Sequence, residues 1–253
     1  MRFLRENIEL NFDKIAPAEL KNEYLVALFI HEALGSIGQW KSFPQKLCNE
    51  LGIEGIVYDR QGHGKSSEFA HERDEYYLHK YALEELPAFV DSVVPDSKKI
   101  LLIGHSDGGT ISLLFDHIFS SKIAGIVTMA AHVINEPETI AGIQPAVDAY
   151  KLGKLDGLKK YHGDKTEALF YAWADIWRDQ QFIDWDITEE IGSNTRGLFI
   201  QGKEDQYGTS KQLALIESHF PNGKTLLLND CGHHPHIEKR EQVINEISQF
   251  FME

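Results

Sequence analysis

The chain has 253 residues, a formal net charge of −14 at pH 7 and 42% hydrophobic residues. These values exclude a disordered, collagen-like or low-complexity chain, because the hydrophobic share is that of ordinary globular proteins. The acidic balance predicts repulsion from nucleic acid and from anionic membrane surfaces, so we expect neither as a partner.

Cysteine content and the N-terminal sequence give an indication of the cellular compartment of the protein. Cys48 and Cys231 are too few for a disulfide framework in a chain of this length, which favours a reduced, cytoplasmic setting. The first fifteen residues alternate apolar and charged positions and lack the apolar run of a signal peptide. No apolar stretch approaches the roughly 18 residues that a membrane-spanning helix needs.

Apolar runs of strand length alternate along the chain with stretches of helical length. The N-terminal alternation predicts a strand or hairpin over residues 1–15, and the later strands are predicted at residues 23–30, 53–58, 100–103, 123–129, 196–201 and 225–228. Helices are predicted at residues 39–51, 75–94, 107–119, 209–220 and 238–251. This alternation predicts an α/β fold with a doubly wound, mostly parallel sheet and right-handed crossovers.

Residues 133–195 interrupt the alternation, because they form a long aromatic stretch without strand patterns. Three of the four tryptophans of the chain, Trp173, Trp177 and Trp185, lie there. We interpret this stretch as a helical cap insertion over one end of the sheet. The core domain is then formed by residues 1–132 and 196–253, since no Pro/Ser-rich linker separates two domains.

One stretch points directly to chemistry: Gly104-His105-Ser106-Asp107-Gly108 is a G-x-S-x-G motif between a predicted strand and a predicted helix. A serine on such a sharp turn needs flanking residues without side chains, and the following helix presents unpaired N–H groups to developing negative charge. The motif predicts Ser106 as a nucleophile. The alternative is a glycine-rich turn with a helix-capping serine.

A serine nucleophile requires a histidine base and an acid that orients the base. We expect the acid after the strand at 196–201, where Asp205 is the candidate and Glu204 the alternative. The histidine should follow the last strand, and His233 is the candidate ahead of His234 and His236. A zinc site is the rival interpretation of the three histidines, but no second Cys/His cluster is nearby in sequence, so we predict no metal ligand.

Two backbone N–H groups are expected to form an oxyanion hole. One is that of Asp107, directly after the nucleophile, and the other is that of Ala33 in the loop that follows the strand ending at Ile30. The candidate substrate-pocket residues are Leu34, His132, Trp173 and Trp177. An aromatic stripe at helical spacing is, however, more often plain core.

Taken together, the motifs resemble the esterase-like branch of the α/β-hydrolase superfamily. The resemblance is carried by the loop at 31–40, Asp59-x-x-Gly62-x-Gly64-x-Ser66, Gly104-x-Ser106-x-Gly108-Gly109, the turn at 202–205 and Gly232-His233-x-Pro235-His236. It implies an eight-stranded, mostly parallel sheet with helices on both faces, a Ser–Asp–His triad, and a helical cap between the sixth and seventh strands.

The chain departs from the family pattern at two positions. Glu32 stands where the family loop usually has glycine, and Asp107 stands where an apolar residue is common. Glu32 in the pocket would repel anionic substrates. A carboxylate of Asp107 directed toward the nucleophile would disfavour an oxyanion, whereas one directed away would leave it undisturbed.

We therefore expect a serine hydrolase that cleaves an ester-type bond of a small or medium acyl substrate through an acyl-enzyme: a carboxylesterase, thioesterase or lactonase. This chemistry needs no metal or organic cofactor. The alternatives are a C–C bond hydrolase or acyltransferase that uses the same triad, and a small-ligand receptor or signalling protein with vestigial turnover. The partner is a small-molecule substrate, and the oligomeric state stays open.

Overall fold

The computed structural model describes residues 1–5, 8–69 and 72–252. Positions 6 and 7 of the predicted N-terminal hairpin lie outside that part. The strands are β1 (Arg2–Arg5), β2 (Ile8–Ile15), β3 (Leu25–Ile30), β4 (Glu54–Tyr58), β5 (Lys99–His105), β6 (Ile123–Met129), β7 (Gly197–Gly202) and β8 (Gly223–Leu228). Within the described residues they form one sheet of eight strands in the order β1-β2-β4-β3-β5-β6-β7-β8.

The sheet is antiparallel at one edge and parallel elsewhere. β1 pairs antiparallel with β2, and β2 pairs antiparallel with β4. From β4 onward every neighbouring pair is parallel. The predicted mostly parallel eight-stranded sheet is thereby confirmed.

Helices and short helical turns connect the strands. The α-helices are α1 (Phe43–Leu51), α2 (Tyr77–Lys80), α3 (Leu86–Val93), α4 (Asp107–Phe119), α5 (Pro137–Lys151), α6 (Lys159–His162), α7 (Thr166–Ile176), α8 (Ser210–His219), α9 (Pro235–Glu238) and α10 (Arg240–Met252). No helix in the described part of the chain is long and apolar enough to cross a membrane.

The central strands are buried on both faces, which explains their continuous apolar runs. In β3, Ala27 and Phe29 belong to a core shared with α1 and α10. The alternate positions, Val26, Leu28 and Ile30, belong to a second core shared with α2, α3 and α4. Because successive side chains of a strand point to opposite faces, only a strand that is apolar at every position can fill both cores.

Two helix predictions need correction. The helix predicted from residue 39 begins at Phe43, and Trp40 instead ends a short 3₁₀ turn. Lys41 separates the two with a φ of 54°, outside the right-handed helical range. The helix predicted over 75–94 is divided into α2 and α3 by a π-helical turn just before Pro87, a residue that has no N–H to continue the helical hydrogen-bond ladder.

Residues 133–195 leave the sheet after β6 and return at β7. They contain α5, α6 and α7 with short 3₁₀ turns, and in this fully described range the β-pairing is one isolated bridge between Ile134 and Asp186. The start of α5 is held by Glu136, whose buried carboxylate accepts hydrogen bonds from Thr209 N–H and from Gln212 Nε2 of α8. The segment is thus fixed to the core beside the carboxyl end of β7.

Candidate active site

The turn between β5 and α4 places Ser106 in a conformation that a side chain rarely adopts. Its φ is 52° and its ψ is −119°. The turn closes tightly, because a Cβ on Gly104 would lie 2.2 Å from the Gly108 carbonyl oxygen and a Cβ on Gly108 would lie 1.9 Å from that of Ile30. Both positions therefore require glycine, and the strand–turn–helix context that the motif demands is present.

Three of the predicted residues lie together at the carboxyl ends of the strands. His233 Nε2 lies 3.0 Å from Ser106 Oγ, and His233 Nδ1 lies 2.9 Å from each carboxylate oxygen of Asp205. Asp205 follows β7 and His233 follows β8. The buried His105 Nε2–H donates to the His233 carbonyl oxygen over 2.7 Å, which anchors the loop of His233 to the turn of Ser106.

The Asp205 carboxylate is oriented by two further donors. Tyr207 N–H donates to Oδ1 over 2.9 Å, and Gln201 Nε2 donates to Oδ2 over 2.6 Å. The alternative acid, Glu204, instead accepts a hydrogen bond from Cys231 N–H over 2.7 Å and so closes its own loop. The geometry therefore favours Asp205 over Glu204 as the partner of the histidine.

Electrostatics stabilise a charged form of the Asp205–His233 pair. Burial acts to lower the pKa of His233, but the Asp205 carboxylate outweighs it and holds the pKa above its usual value. Burial likewise acts to raise the pKa of Asp205, and the interaction with His233 brings it below its usual value. The pair is therefore suited to a histidine that takes up a proton beside a carboxylate that stays ionised.

The two predicted oxyanion donors make no hydrogen bond to a protein acceptor within the described residues. Among the hydrogen bonds of the described residues, neither the Ala33 N–H nor the Asp107 N–H has a protein acceptor. The loop that carries Ala33 is held by His31, which accepts from Arg60 N–H over 3.1 Å and donates from Nδ1 to the Glu32 carbonyl oxygen over 2.8 Å.

The side chain of Asp107 belongs to a buried polar chain. Its Oδ1 accepts from Tyr77 OH over 3.1 Å, and the fully buried Arg60 lies with Nη2 at 3.4 Å from Oδ2. Arg60 Nη2 also donates to the Glu32 carbonyl oxygen over 2.8 Å, and Trp177 Nε1–H donates to Tyr77 OH over 2.9 Å. The Asp107 charge is therefore compensated by Arg60 instead of standing unpaired beside Ser106.

A cavity of about 530 Å³ opens at Ser106 and His233 beneath the inserted segment. All four candidate pocket residues, Leu34, His132, Trp173 and Trp177, lie on its wall. The sequence analysis missed other wall residues, among them Ile143, Leu155, Leu158 and Tyr207. Tyr207 had a signal, since it stands two positions after Asp205, whereas nothing in the sequence distinguishes the apolar residues from ordinary core.

A smaller cavity of about 270 Å³ adjoins the first, and Glu32, Gln39 and His234 line both. His236 lies on its wall, buried against Trp40 with the ring centroids 4.8 Å apart, and burial lowers the pKa of His236 to about 3. Within residues 1–5, 8–69 and 72–252, no three His, Cys, Asp or Glu side chains are grouped closely enough to hold a metal ion.

Comparison with known proteins decides the family. The model of the alpha/beta hydrolase family matches residues 27–246. The chain belongs to the alpha/beta hydrolase family. The predicted fold and the prediction of a hydrolytic enzyme of this family are thereby confirmed.

Relatives of this alpha/beta hydrolase are distant but span most of its length. Esterase YbfF of Escherichia coli is 22% identical over 88% of this chain and 91% of that protein. A proline iminopeptidase of Thermoplasma volcanium is also 22% identical, over 79% of this chain and 80% of that protein. The solved structure of the enol-lactonase from Burkholderia xenovorans superposes with a TM-score of 0.76 over all of both chains at 14% identity, a likeness of fold alone.

Proposed function

We propose that this alpha/beta hydrolase is a serine hydrolase that cleaves an ester-type bond of a small or medium acyl substrate. The proposal rests on one observation: Ser106 Oγ lies 3.0 Å from His233 Nε2, and Nδ1 of the same ring lies 2.9 Å from both Asp205 oxygens. In this proposal Ser106 is the nucleophile, His233 the general base and acid, and Asp205 the residue that orients the histidine.

The reaction proceeds in two halves. His233 Nε2 takes the Ser106 proton as Oγ attacks the carbonyl carbon, and the Ala33 and Asp107 N–H groups bind the resulting oxyanion. Collapse of this intermediate breaks the bond to the leaving group, which receives the proton from His233. Water then attacks the acyl-enzyme, gives its proton to His233, and releases the acid as Ser106 regains its proton.

The cavity supports an acyl group of modest size. Its volume is about 530 Å³, and much of its wall is apolar, including Ile143, Leu155 and Leu158. Residues 133–195 supply that wall and so act as the cap of the site, over a core of 1–132 and 196–253. The esterase among the relatives supports an ester bond as the target; a thioester or lactone fits the same chemistry.

The test is hydrolysis of p-nitrophenyl esters, from acetate through octanoate, by the wild type, by Ser106→Ala and by Ser112→Ala. Ser112 is a matched control, because it is a buried serine of the same helix whose hydroxyl donates to the Gly108 carbonyl oxygen. We expect multiple turnovers in the wild type and in Ser112→Ala, and loss in Ser106→Ala. Equal rates in all three proteins would refute Ser106 as the nucleophile, and a single slow turnover would favour the receptor alternative.

A further inference from the structure

The Glu32 carboxylate lies over the loop that presents one proposed oxyanion donor. Its Oε2 accepts the Leu34 N–H over 3.0 Å, so the side chain folds back past the intervening Ala33. Glu32 is partly exposed and lines both the main cavity and the smaller one. A negative charge is thus held close to the place where an oxyanion would develop.

No lysine or arginine of the described residues forms an ion pair with this charge. Glu32 and Asp107 carry the formal charges of the main cavity wall, and Asp107 is paired with Arg60, whereas Glu32 has no ion pair among the described residues. In the part of the chain that the structure describes, no lysine or arginine lies on that wall. Lys41 lines only the smaller cavity, where its Nζ donates to Tyr161 OH over 2.6 Å.

The neighbouring histidines do not neutralise Glu32 either. Burial lowers the pKa values of His132, His162 and His234, so all three are neutral near pH 7. His233 must be neutral to act as a base. Arg60 approaches Glu32 only at its backbone carbonyl oxygen. The empty site therefore carries a net negative charge in a partly dehydrated cavity.

An unpaired carboxylate beside a developing oxyanion raises the energy of the transition state, because like charges repel strongly where water is scarce. A positive charge on the substrate removes that cost, since it is attracted by both the carboxylate and the oxyanion. A negative charge on the substrate adds to it. The site should therefore discriminate among substrates of equal shape by their charge.

We propose that Glu32 is a specificity-determining residue that selects acyl groups bearing an ammonium group and disfavours anionic acyl groups. The inference rests on the proposed function, because it places the acyl group in the main cavity and the oxyanion at Ala33. The substrate class is then an ester-type compound of a cationic, amine-bearing acid.

Three p-nitrophenyl esters of matched shape test this selection. The acids are 4-(trimethylammonio)butanoic acid, its uncharged isostere 5,5-dimethylhexanoic acid, and 4-sulfobutanoic acid. For the wild type we expect kcat/KM, corrected for uncatalysed hydrolysis, to fall in that order. Glu32→Gln keeps an acceptor for the Leu34 N–H and removes the charge, so kcat/KM should fall about tenfold for the cationic ester and rise about tenfold for the anionic ester.

The opposite changes in kcat/KM for the cationic and the anionic ester distinguish loss of selection from damage to the loop, because damage to the loop would lower kcat/KM for all three esters. Glu138→Gln is the control, because it removes one negative charge at an exposed position of α5 outside the cavity. Ratios of kcat/KM among the three esters that are the same in Glu32→Gln as in the wild type, whether or not all three values fall, would overturn the proposal.

A binding measurement separates this proposal from the proposed function. Methyl ketones with the same three chains are titrated calorimetrically into Ser106→Ala and into Ser106→Ala combined with Glu32→Gln. Tighter binding of the cationic ketone that disappears with Glu32→Gln supports the selection even if the wild type hydrolyses no ester. Equal affinities for the three ketones refute the selection even if the esters are hydrolysed.

Discussion

Ser106 holds a φ of 52° although it carries a side chain, a conformation that costs on the order of 1–3 kcal/mol. Its surroundings maintain the strain: Ser106 N–H donates to the Met129 carbonyl oxygen over 2.8 Å, and Gly109 N–H donates to the Ser106 carbonyl oxygen over 2.8 Å. The strained turn directs the hydroxyl to His233. The G-x-S-x-G spacing predicted this turn, because only glycines allow it to close.

The Asp205–His233 pair predicts a specific pH profile. Because the pKa of His233 is raised above its usual value and the base form is the active one, kcat/KM should rise with pH and reach half its maximum above about pH 6.5. Asp205→Asn removes the carboxylate that stabilises the charged ring, so the midpoint should move to lower pH while the plateau falls about 10⁴-fold. Rate–pH profiles on one activated ester measure both, and an unmoved midpoint would contradict the assignment.

Glu85 predicts a second pH effect, on stability. It lines a groove between β2 and α3, its Oε2 accepts Gln61 N–H over 2.9 Å, and burial raises its pKa to about 7. The folded state then holds a proton that the unfolded state releases near pH 4.5, so stability falls as the pH rises from about 4.5 to 7.

Glu85→Gln should remove that dependence while retaining the acceptor for Gln61. Thermal unfolding at pH 5 and pH 8 measures it: the loss of Tm between the two values should be smaller in the variant than in the wild type. Glu138→Gln, at an exposed position, controls for the change in net charge. A Tm loss as large in Glu85→Gln as in the wild type would refute the shifted pKa.

At the scale of elements, Tyr77 of α2 connects residues 133–195 to α4, the helix that follows Ser106. Its hydroxyl accepts from Trp177 Nε1–H and donates to the Asp107 carboxylate at the start of α4. Tyr77→Phe leaves both groups with an unmet hydrogen bond in the interior, which costs about 1–3 kcal/mol. We expect a lower Tm and, because the Asp107 N–H is one of the two proposed oxyanion donors, a lower kcat on the p-nitrophenyl esters.

Tyr150→Phe is the matched control for this substitution. Tyr150 stacks on Phe170 with ring centroids 4.0 Å apart, and among the described residues its hydroxyl has no hydrogen-bond partner. That variant should keep both the Tm and kcat of the wild type. Equal effects of the two substitutions would show that the Tyr77 hydroxyl has no linking role.

The sequence predicted strands better than it predicted helix limits or pocket walls. A strand buried on both faces is apolar at nearly every position, so a run such as that of β3 can be recognised directly in the sequence. The interruption at Lys41 is instead a backbone conformation, a φ of 54°, that the apolar pattern of the sequence does not signal. Trp177 lines the cavity whereas Trp185 stacks on Phe182, although both lie in the same aromatic segment. Only tertiary packing distinguishes these two roles.

At the scale of the whole molecule, the candidate site is assembled by the sheet and not by any local segment. Ser106, Asp205 and His233 follow β5, β7 and β8, and parallel strands bring their carboxyl ends to one edge. The order of these residues was therefore predictable from strand order and the family resemblance. The unpaired charge of Glu32 was not predictable from the sequence, because it depends on which lysine and arginine side chains the fold places outside the cavity.

The chain leaves the sheet at β6 and returns at its immediate neighbour β7, with residues 133–195 between them. The parallel pairing of the two strands runs from Ile126 with Gly197 to Met129 with Ile200, and it does not involve the residues between the strands. Neither strand therefore needs to move if the length of that segment changes. Substitutions, insertions or deletions in this stretch can therefore reshape the cavity wall while Ser106, Asp205 and His233 keep their positions at the strand ends.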